Sequence, residues 1–94
     1  MELTGINKLE DFQNKHPESK QHIAAWCKLV KTGEWFTFQQ MRQKFFYPLE
    51  GSESKALFTI GCGRYTIQTC IIFKLQRVFI RNIIENADYD GQNT

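Results

Sequence analysis

No run of apolar residues in this chain of 94 approaches the roughly 20 needed to cross a bilayer as a helix, which excludes a spanning helix. Histidine occurs only at His16 and His22, six residues apart and without cysteine or carboxylate partners at ligand spacing, so neither a metal nor a cofactor is expected. The three cysteines, Cys27, Cys62 and Cys70, make no C-x-x-C pair, and no secretory leader precedes them. They fit a reducing cytoplasm rather than a disulfide framework. The formal net charge of +2 is too small to announce a nucleic-acid partner by itself.

What the chain does have is apolar area. Hydrophobic residues make up 41% and aromatics 14%, with eight phenylalanines, enough to close a core without disulfides or metal at this length. A single domain over 1–94 is expected, with 91–94 a frayed tail. The charge is unevenly spread: Lys55, Arg64, Lys74, Arg77 and Arg81 lie in the β-rich half, while Glu85, Asp88 and Asp90 crowd its end.

Read in order, Glu2-Leu3-Thr4 is a short strand candidate. Asn7 and Glu10 have capping-box spacing for a helix that ends near Lys15. Pro17 restarts a helix, since proline at a first helical position gives up only an N–H that would be unpaired. Ile23, Trp26, Cys27 and Val30 then follow the i, i+3, i+4, i+7 pattern of a buried helix face, and Gly33 is a stop. A third helix is capped by Thr37 with Gln40, stapled by Phe36 and Met41, and runs to about Lys44. Phe45-Phe46-Tyr47 meets Pro48 in a turn, and Gly51-Ser52-Glu53-Ser54 reads as a polar loop.

From there the period becomes two. Ala56 to Ile60 is a strand, Gly61-Cys62-Gly63 a hairpin turn, and Tyr65 to Phe73 the return strand, with Tyr65, Ile67, Thr69, Ile71 and Phe73 facing the helices. Lys74 to Arg77 form the next turn. Val78 to Ile84 is the last strand, with Phe79, Arg81 and Ile83 sharing one side. Helices followed by strands too close for crossover helices specify an α+β fold, two to three N-terminal helices on a small, mostly antiparallel sheet.

Several of these residues together resemble the HigB-type toxins of bacterial toxin–antitoxin pairs, within the RelE-like superfamily. They are Leu9 and Phe12, His16-Pro17-Glu18, Ala25-Trp26, Trp35, Phe58-Thr59-Ile60-Gly61 with Tyr65, Val78-Phe79-Ile80-Arg81, and Ala87-Asp88-Tyr89-Asp90. The resemblance spans roughly residues 6–90. It implies a metal-independent messenger-RNA endoribonuclease working on the ribosome and silenced by a helix-turn-helix antitoxin. The chain departs from the family pattern where an arginine and a further basic residue are expected, at Thr66 and Cys70, and where the closing motif carries histidine, at Asn86. These departures leave open a catalytically weak or inactive member that keeps antitoxin or RNA binding.

Cleaving RNA without a metal requires the 2′-OH to lose a proton, the 5′ oxygen to gain one, and the phosphate charge to be stabilised. Arg81 is the candidate for the phosphate, its planar fork matching two oxygens, with a strand ion pair to Glu85 or Asp88 the alternative. Tyr89 is a candidate for base stacking or proton donation, or for closing the core. Asn86, Asp88 and Asp90 complete the candidate catalytic group, although Asn86 cannot exchange protons near neutral pH. Arg64, Lys74 and Arg77, which flank the two turns, are the expected RNA contacts.

Overall fold

A computed structural model describes residues 1–44, 49–52 and 54–86. The order is β1 (Glu2–Thr4), α1 (Ile6–Lys15), a 3-10 turn at Pro17–Ser19, α2 (Lys20–Thr32), α3 (Phe38–Lys44), β2 (Leu49–Ser52), β3 (Lys55–Ile60), β4 (Tyr65–Ile72), a 3-10 turn at Phe73–Leu75, and β5 (Arg77–Glu85). The expected turn at 45–48 and the tail at 91–94 lie outside the described residues, as do Asp88, Tyr89 and Asp90.

The fold is α+β. Its five strands form one mixed sheet in the order β1-β5-β4-β3-β2, with β1 parallel to β5 and the other pairs antiparallel. The first two residues of the stretch read as a polar loop, Gly51 and Ser52, instead close β2, whose backbone pairs with β3, Leu49 opposite Phe58 through Ser52 opposite Lys55. Four residues without apolar alternation carry little strand signal, and the pairing is supplied by the neighbouring edge instead.

One face of the sheet is buried beneath the helices. Ala56, Phe58 and Ile60 of β3 and Tyr65, Ile67 and Ile71 of β4 meet Leu9, Ile23, Trp26 and Val30, and the Trp26 ring packs edge-on against Phe58 at 5.2 Å. The alternation expected for β4 is therefore correct, and the buried Thr69 in the same row satisfies its hydroxyl by donating to the Ala56 carbonyl at 2.9 Å. Leu57, Ile72 and Ile84 remain exposed on the other side.

The helix boundaries differ in two places. α1 begins one residue after Gly5, whose φ of 94° lets the chain reverse out of β1, so the expected Asn7 cap is not used. A Cβ at Gly5 would stand 2.7 Å from the Ile80 carbonyl oxygen, so the close approach of backbone to β5 selects glycine there. α2 is preceded by a 3-10 turn in which the Ser19 hydroxyl donates to the His16 carbonyl at 2.7 Å. At α3 half of the expected capping box forms: the Gln40 N–H donates to Thr37 Oγ1 at 3.1 Å, while Gln40 Oε1 reaches past Thr37 and accepts from the Phe36 N–H at 2.9 Å. The staple does not form, since Met41 is buried while Phe36 is 63% exposed.

The last strand carries the largest correction. Gln68 faces Asn82 and Thr69 faces Ile80, so Arg81 is an extra residue, a β-bulge. Before it Val78 and Ile80 point to the core; after it Ile83 does. The expected sharing of one side by Phe79, Arg81 and Ile83 fails because the bulge moves the parity by one residue.

Candidate functional site

The bulge sets Arg81 out from the ladder, exposed, where its backbone carbonyl accepts a hydrogen bond from Lys8 Nζ of α1 at 3.0 Å. α1 lies along β5, and Lys8, Asp11, Phe12 and Lys15 occupy its i, i+3, i+4, i+7 positions. Together with Arg81 they line a groove of about 380 Å³. Three cationic side chains against one carboxylate make this groove basic. Arg81 also borders a hollow on the open sheet face beside Lys55, and Lys55 sits directly across from Cys70. The positive charge absent at position 70 is thus supplied by the neighbouring strand.

At its far end the groove leads, through Phe12, to a group of side chains from four segments. The His16 ring stacks on Phe12 with centroids 4.4 Å apart and lies 6.5 Å from the Tyr65 ring. His16 Nδ1 is 3.6 Å from Glu18 Oε2, and the same oxygen accepts the Tyr65 hydroxyl at 3.0 Å. Glu18 ionises below the usual carboxylate range. A backbone N–H and the Tyr65 hydroxyl stabilise its anion, burial opposes them, and His16 and Arg64 add attraction. Tyr65, fully buried, is pushed above its ordinary value of 10.0 by burial and then by the Glu18 partner.

Glu85, at the end of β5, completes a trio: ligand-type atoms of His16, Glu18 and Glu85 all lie within 4.8 Å of one another. The expectation that His16 has no carboxylate partners is therefore overturned, because the fold brings Glu85 to it from 69 positions along the chain. This is the set among the described residues that could hold a metal ion, although the guanidinium of Arg64 close by disfavours a second positive charge.

Asn86, a candidate able only to orient by hydrogen bonds, makes three of them. Its Nδ2 donates to the Gly63 carbonyl at 2.8 Å, its Oδ1 accepts the Thr66 hydroxyl at 2.9 Å, and its backbone N–H donates to the Arg64 carbonyl at 2.8 Å. A carbonyl cannot donate, so the amide orientation is fixed by its partners. Asn86 clasps the end of β5 to the β3–β4 turn.

The three expected RNA contacts are not gathered together. Arg64 sits in that turn, half-buried. Lys74 and Arg77 lie at the other end of β4, where Ile72 pairs with Arg77, about 23 Å away at roughly 3.3 Å per residue. Arg77 is held by Glu2, Nη2 to Oε1 at 2.7 Å. Sequence reading missed Lys8, Lys15 and Lys55 as partners of Arg81, and His16 with Glu18 as a dyad. The helical spacing of Lys8, Phe12 and Lys15 was a usable signal; the dyad's link to Glu85 had none.

The family model of HigB toxins, described as the RelE-like toxic component of a toxin–antitoxin system, matches residues 19–92. No curated protein gives a significant match.

Proposed function

Since the chain belongs to the HigB toxin family, the RelE-like toxic components of toxin–antitoxin systems, we propose that it is a metal-independent endoribonuclease. Its substrate in this reading is messenger RNA held on the translating ribosome, and a helix-turn-helix antitoxin silences it in the cytoplasm. The family as a whole implies an antitoxin partner and is generally made of ribonucleases.

The observation that carries the reading is the bulged Arg81 between the basic groove of Lys8 and Lys15 and the sheet-face hollow of Lys55. An extended RNA strand needs a track of cations to neutralise successive phosphates, and a planar guanidinium pushed out of the ladder can take two oxygens of one of them. Arg64 extends the track past the Phe12 end, while Tyr89, Asp88 and Asp90 follow directly on the clasped Asn86. No membrane enters this account, and no helix among the described residues is long and apolar enough to cross one.

The test is a purified translation reaction containing defined messenger RNA, ribosomes in magnesium buffer and this protein, the protein used either as purified or after a chelator has stripped it of bound metal and been removed. Cleavage within translated codons, undiminished by that stripping and abolished by Arg81→Ala, is the expected result. Intact message in the presence of folded protein would refute it.

One observation favours a second reading, a binding protein without cleavage: Thr66 and Asn86, where family members carry arginine and histidine, are engaged with each other. Under that reading the unmodified protein leaves messages intact, while Asn86→His combined with Cys70→Arg gains cleavage.

A further inference from the structure

We propose that His16 is the general acid of this site, delivering a proton to the 5′ oxygen that leaves when the RNA backbone is cut. The assignment rests on the ribonuclease reading and names the proton donor that reading lacks. Asn86 cannot donate a proton with an acid's facility, and its side chain is already committed to Gly63 and Thr66. The imidazole at His16 comes from a different segment, between α1 and the 3-10 turn, and His16 and Glu18 both precede the segment matched by the family model.

Four features of its surroundings suit the role. The ring is oriented, because Phe12 stacks on one face with planes 26° apart and Tyr65 presents an edge. Nδ1 faces a carboxylate oxygen at 3.6 Å, and that oxygen is itself held by the Tyr65 hydroxyl, so the ring is fixed through Nδ1 while Nε2 has no partner among the described residues. The side chain is 31% exposed, open to a substrate without being loose. Phe12 also lines the groove that contains Arg81, so a strand tracking along the cations reaches His16 at the groove's end, where Arg64 acts electrostatically on Glu18.

The step balances as follows. The 2′ oxygen forms a bond to phosphorus as the bond from phosphorus to the 5′ oxygen breaks. The proton of the 2′-OH passes to solvent water, and the Nε2 proton of His16 passes to the departing 5′ oxygen. The products are a 2′,3′-cyclic phosphate and a free 5′-OH, and the neutral imidazole then takes a proton back from water. Glu18 and Tyr65 act through His16 and are positioning residues.

A sulfur leaving group provides the test, because a thiolate departs without a proton. Messages carrying at the mapped cleavage position either the ordinary 5′ oxygen or a 5′-bridging sulfur are loaded on ribosomes and treated with the unmodified protein and with His16→Gln. The expected result is a loss of about 10²- to 10⁴-fold by the variant on the oxygen substrate and near-equal rates on the sulfur substrate. Recovery on sulfur also demonstrates that the variant is folded. Should His16→Gln prove insoluble, Glu18→Gln is to give a smaller loss with the same recovery.

Equal losses on both substrates, or less than threefold loss on oxygen, would overturn the assignment while leaving the ribonuclease reading intact. Cleavage lost when the protein is stripped of bound metal before it meets the ribosomes, and restored by adding a divalent transition metal at constant magnesium, would instead give His16, Glu18 and Glu85 to a metal and also overturn it. Failure of the unmodified protein to cut either RNA would sink the ribonuclease reading and this assignment together.

Discussion

Replacing Asn86 by alanine should destabilise the protein through the β3–β4 turn rather than through the core. Two side-chain hydrogen bonds are removed, Nδ2 to Gly63 at 2.8 Å and Thr66 Oγ1 to Oδ1 at 2.9 Å. Each is worth about 1 kcal/mol net, and because Asn86 is only half-buried, water can satisfy part of what is left unpaired. The expected cost is about 1.5 kcal/mol for Asn86→Ala and about 0.8 kcal/mol for Thr66→Val, with the double variant losing less than the sum by roughly 0.5–1 kcal/mol because one bond is counted twice. Urea denaturation followed by circular dichroism measures this directly. The midpoint should fall with m unchanged, and thermal midpoints should drop by roughly 4–8 °C per kcal/mol for a chain of this length. Additive losses, or a cost below about 0.3 kcal/mol for Asn86→Ala, would show that the clasp does not hold in solution.

Four further outcomes follow from the same structure. The depressed ionisation of Glu18 contributes stability that is complete above its ordinary pKa of 4.5 and lost as pH falls through the lower folded value, so Glu18→Gln should flatten the acid limb of a stability–pH profile; an unchanged limb would contradict this. Tyr65, raised above 10.0, works in the opposite sense: its contribution is present below pH 10.0 and lost as pH rises through the folded value, and Tyr65→Phe should flatten the alkaline limb. Gly5→Ala should cost about 2 kcal/mol or more in urea melts, since φ is 94° and the added Cβ meets the Ile80 carbonyl at 2.7 Å. Among the thiols, exposed Cys62 should react with a disulfide reagent within the native protein, whereas half-buried Cys27, its thiol pushed up by burial against the opposing pull of Lys31, should react mainly on unfolding; equal native rates would refute that ordering.

The helices and the central hairpin were legible because their signals are local. Ile23, Trp26 and Val30 repeat at helical spacing, Thr37 accepts from the Gln40 N–H as their spacing announces, and Tyr65, Ile67 and Ile71 alternate with less buried neighbours as a half-buried strand must. Gly5 displaced the Asn7 cap for a non-local reason, the Ile80 carbonyl pressed against it, which no capping rule reads. The same holds for the bulge. Val78-Phe79-Ile80-Arg81-Asn82-Ile83-Ile84 has apolar residues on both parities, so the switch at Arg81 emerges only from the register against Gln68 and Thr69.

The candidate site divides along the same line. Arg81 was identified from the resemblance, and its basic neighbours Lys8 and Lys15 become visible once α1 is laid along β5. Asn86 was read as a position able only to orient by hydrogen bonds, and spacing could not name its partners, which lie 20 and 23 residues back at Thr66 and Gly63. His16 and Glu18 stand two apart in the sequence, but what gives them a chemical setting is Tyr65 and Glu85, brought from β4 and β5 by the sheet register that pairs those two residues. A dyad so assembled is invisible to spacing.

Inducing the protein in growing bacteria beside Arg81→Ala, and mapping the 5′ ends of cellular messages, tests the central claim most directly. Growth arrest with new 5′-OH ends inside translated regions, absent from the variant, is the result predicted here. Normal growth with unchanged message ends, while soluble folded protein accumulates, would contradict it.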